Sequence, residues 1–118
     1  MESTTKLDLS QFIGTTAYHR TNPMFAKDLV HTDGVQYFAD EAGCYWFLDI
    51  VATEYLPLMR KHGFLSIQLA VEDGIADICV EDGDCEVLKQ KHIEHTDCPD
   101  GLYKFFLTDN VLMLTSEY

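Results

Sequence analysis

The segment HIEHTDC at residues 92–98 concentrates side chains that could bind a metal or carry out nucleophilic chemistry. It contains His92, His95, Asp97 and Cys98, which are residue types of zinc sites and of cysteine–histidine active sites. If residues 86–94 form a strand, however, His92 and His95 project to opposite faces, because side chains alternate along a strand. We therefore interpret the segment as a strand and a turn, which Asp97 caps through its side chain.

An enzyme that uses residues 92–98 is the alternative, either a small hydrolase or a metal-dependent enzyme. A zinc site needs three or four ligands, and no familiar spacing supplies further ligands to His92, His95 and Asp97. The chain also lacks the G-x-S-x-G, P-loop, G-x-G-x-x-G and H-E-x-x-H motifs. We expect no catalytic residues, no metal site and no cofactor.

The four cysteines form no C-x-x-C pair. We predict that Cys44 and Cys79 are small buried residues, and Cys44 lies in the most apolar stretch, where a thiol stays protonated. Cys98 precedes Pro99 in a polar loop and is the thiol expected to react with a thiol reagent. The N-terminus shows no signal-peptide pattern, so we expect a reducing compartment, the cytoplasm, and no disulfide framework.

The densest group of charges lies in residues 72–86, where seven carboxylates occur in fifteen residues without a lysine or arginine. A calcium loop is not indicated, because Glu81-Asp82-Gly83-Asp84 does not match D-x-[DN]-x-[DN]-G. Like charges this close repel each other, which indicates either a surface on which no function has been selected or a binding site for a basic partner. The residues of this predicted partner-binding surface are Glu72, Asp73, Asp77, Glu81, Asp82, Asp84 and Glu86.

The whole chain is strongly acidic, with 20 acidic and 8 basic residues and a net charge of −12. This charge disfavours direct binding to a nucleic-acid backbone, although in many proteins it serves solubility alone. The apolar runs are too short to span a membrane. A basic protein is the partner that the charge favours.

The N-terminal half shows helical patterns. After a flexible tail at residues 1–6, Asp8, Gln11 and Gly14 predict a short capped helix, and residues 16–20 a strand. Asp33 and Gln36 form a second capping box, followed by apolar residues at the spacing of one helix face. That face consists of Val35, Phe38, Ala39 and Ala42.

A second helical stretch follows at residues 44–56, either after a break at Gly43 or as part of one longer helix. It is apolar nearly all round, with a narrow polar stripe of Asp49, Thr53 and Glu54. Pro57 should end or kink it, and Gly63 should close the region. The aromatic residues Tyr45, Trp46 and Phe47 belong to the core, or else to a surface that a homodimer buries.

From residue 64 the period of the pattern changes from 3.6 to 2, which indicates strands. Leu65, Ile67, Leu69 and Val71 share one predicted face, and Ala76, Ile78 and Val80 continue it after a turn at residues 72–74. A strand at 86–94 and a hairpin around the Thr-Asp-Asn turn complete the pattern. The fold class is α+β: a single domain at residues 7–118, with an antiparallel meander of about four strands (residues 64–116) packed against the helices of 33–61.

Four stretches resemble a family of small, uncharacterised bacterial proteins: TDGVQYFAD at 32–40, YWFLD at 45–49, HTDCP at 95–99 and VLMLTSEY at 111–118. The resemblance extends from about residue 8 to the end. It implies a domain without an assigned activity, often encoded on mobile or phage-related DNA. The residues to which it draws attention are Asp33, Trp46, Asp49, Asp97 and Tyr118.

The function that these observations favour is a non-enzymatic acidic module that binds a basic protein surface. If the association with mobile DNA holds, the partner could be a nucleic-acid-binding protein whose phosphate site the carboxylates imitate, so that the protein acts as an inhibitor or regulator. A structural homodimer is a further alternative.

Overall fold

The computed structural model describes residues 18–20 and 29–118, in which a mixed sheet of seven strands carries a layer of helices on one face. The strand order in the sheet is β1-β2-β7-β6-β3-β4-β5. The predicted tail and the helix predicted at Asp8–Gly14 lie outside the described residues. The strands are β1 (Tyr18–Arg20), β2 (Val30–Thr32), β3 (Phe64–Glu72), β4 (Ile75–Glu81), β5 (Val87–Ile93), β6 (Gly101–Thr108) and β7 (Val111–Leu114).

The predicted α+β class is confirmed, but the meander of about four strands is wrong in number and order. β3, β4 and β5 do form an antiparallel meander. The chain then returns to the other side of β3, where β6 pairs with it and β7 pairs with β6. The short strand β2 adds to β7 in parallel, and β1 pairs antiparallel with β2 at the edge. Local sequence determines each hairpin, whereas the position of one hairpin beside another in the sheet depends on contacts between residues that are distant in the chain.

One face of the sheet, called the inner face, is buried under the helices. The alternation predicted for β3 and β4 is confirmed, because their apolar residues at every second position are at most 4% exposed. β6 and β7 extend the inner face with Tyr103, Phe105, Leu107, Leu112 and Leu114. The opposite face, called the outer face, carries no helix of the described part of the chain.

The helical layer begins with α1 (Asp33–Ala42), which is preceded by Thr32 as its N-cap. The Thr32 hydroxyl accepts a hydrogen bond from the Val35 amide at 3.4 Å, so the prediction that Asp33 caps the helix is wrong by one residue. A threonine with extended backbone suits this position as well as an aspartate does. The predicted buried face of α1 is confirmed, and Gly43 ends the helix in the left-handed conformation.

The next helical stretch runs through Pro57 without ending there. It consists of α2 (Tyr45–Ile50), a π-helical turn (Val51–Tyr55) and α3 (Leu56–His62), and Gly63 ends it as predicted. Proline inside an α-helix removes a donor and crowds the carbonyl four residues earlier. The wider π turn directly before Pro57, in which the Leu56 amide donates to the Val51 carbonyl, lets the helix continue.

The predicted hairpin turns at residues 72–74 and 108–110 are both confirmed. Asp73-Gly74 and Asp109-Asn110 have positive φ at both central residues, between 54° and 78°. This is the backbone of the two-residue turn whose twist matches that of paired strands, and Gly, Asn and Asp tolerate it best. Positive φ at these turns therefore fixes the register of β3 with β4 and of β6 with β7.

A buried carboxylate joins the C-terminus to the start of α1. Glu117, in a short 3-10 helix after β7, is 9% exposed and accepts hydrogen bonds from the Thr32 hydroxyl at 2.6 Å, the Gly34 amide at 3.2 Å and the Leu114 amide at 3.0 Å. Gly34 leaves room for it, because a Cβ at this position would lie 2.6 Å from Leu114 Cδ1 and 2.7 Å from the carboxylate. The acid also faces the positive end of the α1 dipole.

We expect the Glu117→Ala substitution to lower the free energy of unfolding by about 3 kcal/mol, because it leaves three buried donors without their acceptor. Urea unfolding followed by circular dichroism measures this. Glu94→Ala removes an exposed glutamate and is the control, for which the expected change is within about 0.5 kcal/mol. Equal stability of the two variants would contradict the role given to Glu117.

Candidate functional site

The structure separates the seven carboxylates of residues 72–86 into two groups. Glu72 and Asp73 lie at the turn between β3 and β4, whereas Asp82, Asp84 and Glu86 lie in the turn between β4 and β5. β4 between them has seven residues and is about 20 Å long. Asp77 and Glu81 lie along β4 on the outer face. The seven residues therefore do not form one continuous surface.

The first group is enlarged by carboxylates from another part of the chain. The 94–100 loop, between β5 and β6, wraps around the β3–β4 turn: the Thr96 amide donates to the Gly74 carbonyl at 2.9 Å, and the Asp73 amide donates to Asp100 Oδ1 at 3.0 Å. Neither residues 70–78 nor residues 94–102 contain lysine or arginine. We call this end of the sheet the acidic pole; its residues are Glu72, Asp73, Asp77, Glu94, Asp97 and Asp100.

A depression of about 410 Å³ lies on the acidic pole. Glu72, Asp73 and Asp77 line it together with the apolar residues Ala70, Val71 and Ile75 and with Gly101. Ile75 is 43% exposed, and Leu102, which pairs with Ala70 across β3 and β6, is 55% exposed. The depression thus combines three carboxylates with exposed apolar surface.

The second group of carboxylates is organised by its own turn. Asp82 Oδ1 accepts hydrogen bonds from the amides of Glu86 at 3.0 Å and Asp84 at 2.8 Å. These two bonds hold the pKa of Asp82 below its usual value, with a smaller contribution from nearby His62. His62 ends α3, whose last turn also contains Arg60 and Lys61. Basic residues therefore accompany this end of the sheet.

Asp77 pairs across the strands with His92, at 2.6 Å between Oδ1 and Nδ1. The hydrogen bond and the charge of Asp77 raise the pKa of the exposed His92 imidazole above 6.5. Because the folded-state pKa is the higher one, the pair favours folding below the unfolded-state pKa, and its contribution is lost as pH rises through the folded-state pKa. His92 is thus engaged with a neighbouring strand.

The remaining residues of the 92–98 segment do not converge with His92. Thr96 caps the turn by accepting a hydrogen bond from the Cys98 amide at 3.1 Å, the role predicted for Asp97. Asp97 is exposed, and so is His95. Within residues 18–20 and 29–118, no three histidine, cysteine or acidic side chains are placed to hold a metal ion together.

The cysteines are distributed differently from the prediction. Cys44 is buried as predicted, but Cys98, expected to be accessible, is only 4% exposed. Cys79, predicted to be buried, is half-buried on the outer face, and the exposed thiol is Cys85. Pro99 and the rest of the 94–100 loop fold back over the core, with the Tyr103 hydroxyl donating to the Pro99 carbonyl at 2.7 Å, and this covers Cys98.

A second polar cluster, which the sequence did not indicate, lies where β1 and β2 meet α1. His19 and His31 stack at 5.5 Å between ring centroids, and His19 Nε2 lies 2.8 Å from Asp33 Oδ1. His31 Nε2 lies 2.7 Å from Gln36 Oε1, and burial lowers the pKa of His31 so that its neutral form is favoured. Tertiary pairing of β1 with β2 creates this cluster, so no local spacing could have revealed it.

The three aromatic residues predicted for a core or a dimer have different surroundings. Phe47 is fully buried against Phe105, at 4.8 Å between centroids, so it belongs to the core. Trp46 is half-buried against the core. Tyr45 is 49% exposed, and its hydroxyl donates to Asp40 and accepts from Gln36.

The structure also shows the surroundings of residues to which the family resemblance draws attention. Asp33 pairs with His19, the Asp49 carbonyl accepts a hydrogen bond from Thr53 at 2.8 Å, and Tyr118 is 76% exposed. The Tyr118 ring packs on Phe106 and Phe64 at the end of the outer face opposite the acidic pole.

No helix in the described part of the chain is long and apolar enough to cross a membrane.

Comparison with known proteins identifies the family of this chain. Residues 3–118 match the model of DUF6876, a family of unknown function. No curated protein and no solved structure matches the chain. The match covers nearly all of the chain and carries no assigned activity.

We expect the Asp77→Asn substitution to lower the pKa of His92 towards 6.5, because the imidazolium loses its hydrogen-bonded carboxylate. An NMR titration of the imidazole resonances against pH measures it. Glu94→Gln removes the more weakly acting carboxylate near His92 and should change the pKa less. An unchanged His92 pKa in Asp77→Asn would contradict the pairing.

Proposed function

We propose that this chain, which belongs to the DUF6876 family of unknown function, is a non-enzymatic interaction module that binds a basic protein surface through the acidic pole. The observation that carries this proposal is the depression in which Glu72, Asp73 and Asp77 stand beside exposed apolar side chains. Lysine and arginine side chains match such a surface, because each combines an aliphatic stem with a charged end.

Electrostatics favour a basic partner at this end of the sheet. Five of the six carboxylates of the acidic pole are exposed, and Asp100 is half-buried. Their mutual repulsion is reduced when a cationic group binds among them, and arginine can bind a carboxylate through two parallel hydrogen bonds. The net charge of −12 would also speed the encounter with a basic protein at low ionic strength.

The apolar part of the depression adds contact area to this attraction. Ile75 in the depression and Leu102 beside it, which pairs with the lining residue Ala70, are among the most exposed large apolar residues of the described chain. Burying them against the aliphatic stems of basic side chains removes apolar surface from water, which favours binding by about 25 cal/mol for each Å² buried. Charge attracts the partner, and the apolar contact would slow its dissociation.

Nucleic-acid-binding proteins form one class of partner with such a basic surface. In that case the carboxylates of the acidic pole would occupy positions that phosphates otherwise take. The protein would then act as an inhibitor or regulator by competing with nucleic acid.

Binding of a fluorescently labelled oligo-arginine peptide tests the proposal, with affinity measured by anisotropy at several salt concentrations. We expect a triple variant, Glu72→Gln, Asp73→Asn and Asp77→Asn, to bind about tenfold more weakly, a loss of about 1.4 kcal/mol. The affinity of the unmodified protein should fall as salt is added, because exposed charges are screened.

The control variant changes the net charge equally at the other end of β4: Glu81→Gln, Asp84→Asn and Glu86→Gln. It should retain the affinity within about twofold. Equal losses in the two triple variants would show that net charge alone attracts the peptide, and this result would overturn the proposal. An affinity that does not change with salt would also overturn it.

A further inference from the structure

Asp77 is shared by two depressions of the surface. It lines the depression of the acidic pole together with Glu72 and Asp73. It also lines a second depression of about 330 Å³ on β4 and β5, together with His92 and Gln90. A histidine side chain therefore stands directly beside the surface to which a basic partner would bind.

The sheet register holds Asp77 and His92 together. The two residues are directly opposite each other on β4 and β5, and Nδ1 of the imidazole lies 2.6 Å from Oδ1 of the carboxylate. The Asp77 side chain is 66% exposed and that of His92 is 53% exposed. A cationic group of a partner can therefore reach Asp77 without a rearrangement of the fold.

The strand residues around His92 leave it as the nearest cationic group to Asp77. Cys79 on β4 and Gln90 on β5 lie beside the pair and line the same depression. Lys91 projects to the other side of the sheet, because side chains alternate along a strand, and there it donates to Glu54 at 3.1 Å.

The loops near His92 are acidic. The β3–β4 turn and the 94–100 loop meet at this end of the sheet, and residues 70–78 and 94–102 contain no lysine or arginine. Their titratable side chains are Glu72, Asp73, Glu94, His95, Asp97, Cys98 and Asp100. Protonation of His92 therefore places a positive charge at the border of a strongly negative surface.

We propose that protonated His92 competes with the basic partner for Asp77, so that the acidic pole binds its partner more strongly as pH rises through the neutral range. The imidazolium donates a hydrogen bond to Asp77 and offsets its charge, and it repels an approaching lysine or arginine. The neutral imidazole leaves the charge of Asp77 uncompensated. This inference rests on the proposed function, because it concerns the regulation of the same surface.

The direction of the pH dependence follows from the charges. The hydrogen bond and the charge of Asp77 raise the pKa of His92 above 6.5, with a smaller contribution from Glu94, so the imidazole titrates near physiological pH. A partner cation beside Asp77 disfavours the imidazolium, and binding therefore lowers the pKa of His92.

Thermodynamic linkage makes the effect reciprocal. Because binding of the partner lowers the pKa of His92, the affinity for the partner must rise as pH rises through that pKa. Carboxylic acids ordinarily titrate well below the neutral range, so they remain ionised while His92 changes its charge. The pH dependence in this range therefore reports on the imidazole and not on loss of the carboxylates.

The test measures binding of the labelled oligo-arginine peptide to the full chain at low salt, at about pH 6 and about pH 8, between which a histidine changes its charge. Arginine stays protonated at both values, so the charge of the peptide does not change. We expect an affinity about threefold higher at the higher pH, the size of effect that one exposed charge produces. His92→Gln keeps a polar side chain that cannot be protonated, and its affinity should be the same at both values. In an NMR titration, the pKa of His92 should fall when the peptide is added.

Two further variants are matched controls. His95→Gln removes the other exposed histidine of the 92–98 segment, and His62→Gln removes an exposed histidine near Asp82, at the opposite end of β4. Both should keep the pH dependence that His92→Gln loses.

The outcomes separate this inference from the proposed function. Binding at the higher pH that is equally strong at the lower pH would overturn the inference and leave the proposed function standing, whereas no salt-dependent binding at the higher pH would overturn both. A pH dependence that persists in His92→Gln would also overturn the inference. If that variant does not fold, the NMR titration of the unmodified protein decides, because an unchanged pKa of His92 in the presence of bound peptide contradicts the competition.

Discussion

The insertion of Glu117 between β2, α1 and β7 is the constraint on which the arrangement of this molecule depends. The parallel pairing of β2 with β7 brings the first described strands beside the last one, and the carboxylate joins them by accepting hydrogen bonds from Thr32, Gly34 and Leu114. A buried acid is costly unless its oxygens are satisfied, so this position admits few other arrangements. The start of α1 is thereby held in place, and the helices that follow α1 lie over the inner face of the sheet.

Covering one face of the sheet leaves the other face and its ends to carry the polar chemistry. The antiparallel turns place acidic residues at both ends of β4, but their surroundings differ. The basic last turn of α3 accompanies the Asp82 end, whereas the 94–100 loop brings further carboxylates to the acidic pole. The local charge of a surface therefore depends on which loops meet there, and it cannot be taken from the charge of one hairpin.

The same loop determines the environment of Cys98. By folding over the core, residues 94–100 remove Cys98 from solvent, while Asp97 stays exposed and Asp100 half-buried. A single irregular segment thus connects the acidic pole to the hydrophobic core, in which Cys98 is buried. A change in the position of this loop would alter both the acidic pole and the burial of Cys98, because the loop contributes residues to both.

The sequence by itself determined the elements that depend on neighbouring residues. The strand alternation of β3 and β4, the buried face of α1, the glycine stops at Gly43 and Gly63 and the two hairpin turns follow from side-chain period and backbone preference, which act over a few positions. Even here one capping residue was wrong, since Thr32 and Asp33 are both good caps and tertiary contacts of Thr32 with Glu117 decide between them. Only the tertiary structure decided the strand order, the burial of Cys98, the pairing of Asp77 with His92 and the histidine cluster at β1 and β2. Each of these joins residues far apart in the chain, and no local pattern records which distant segments will pack together.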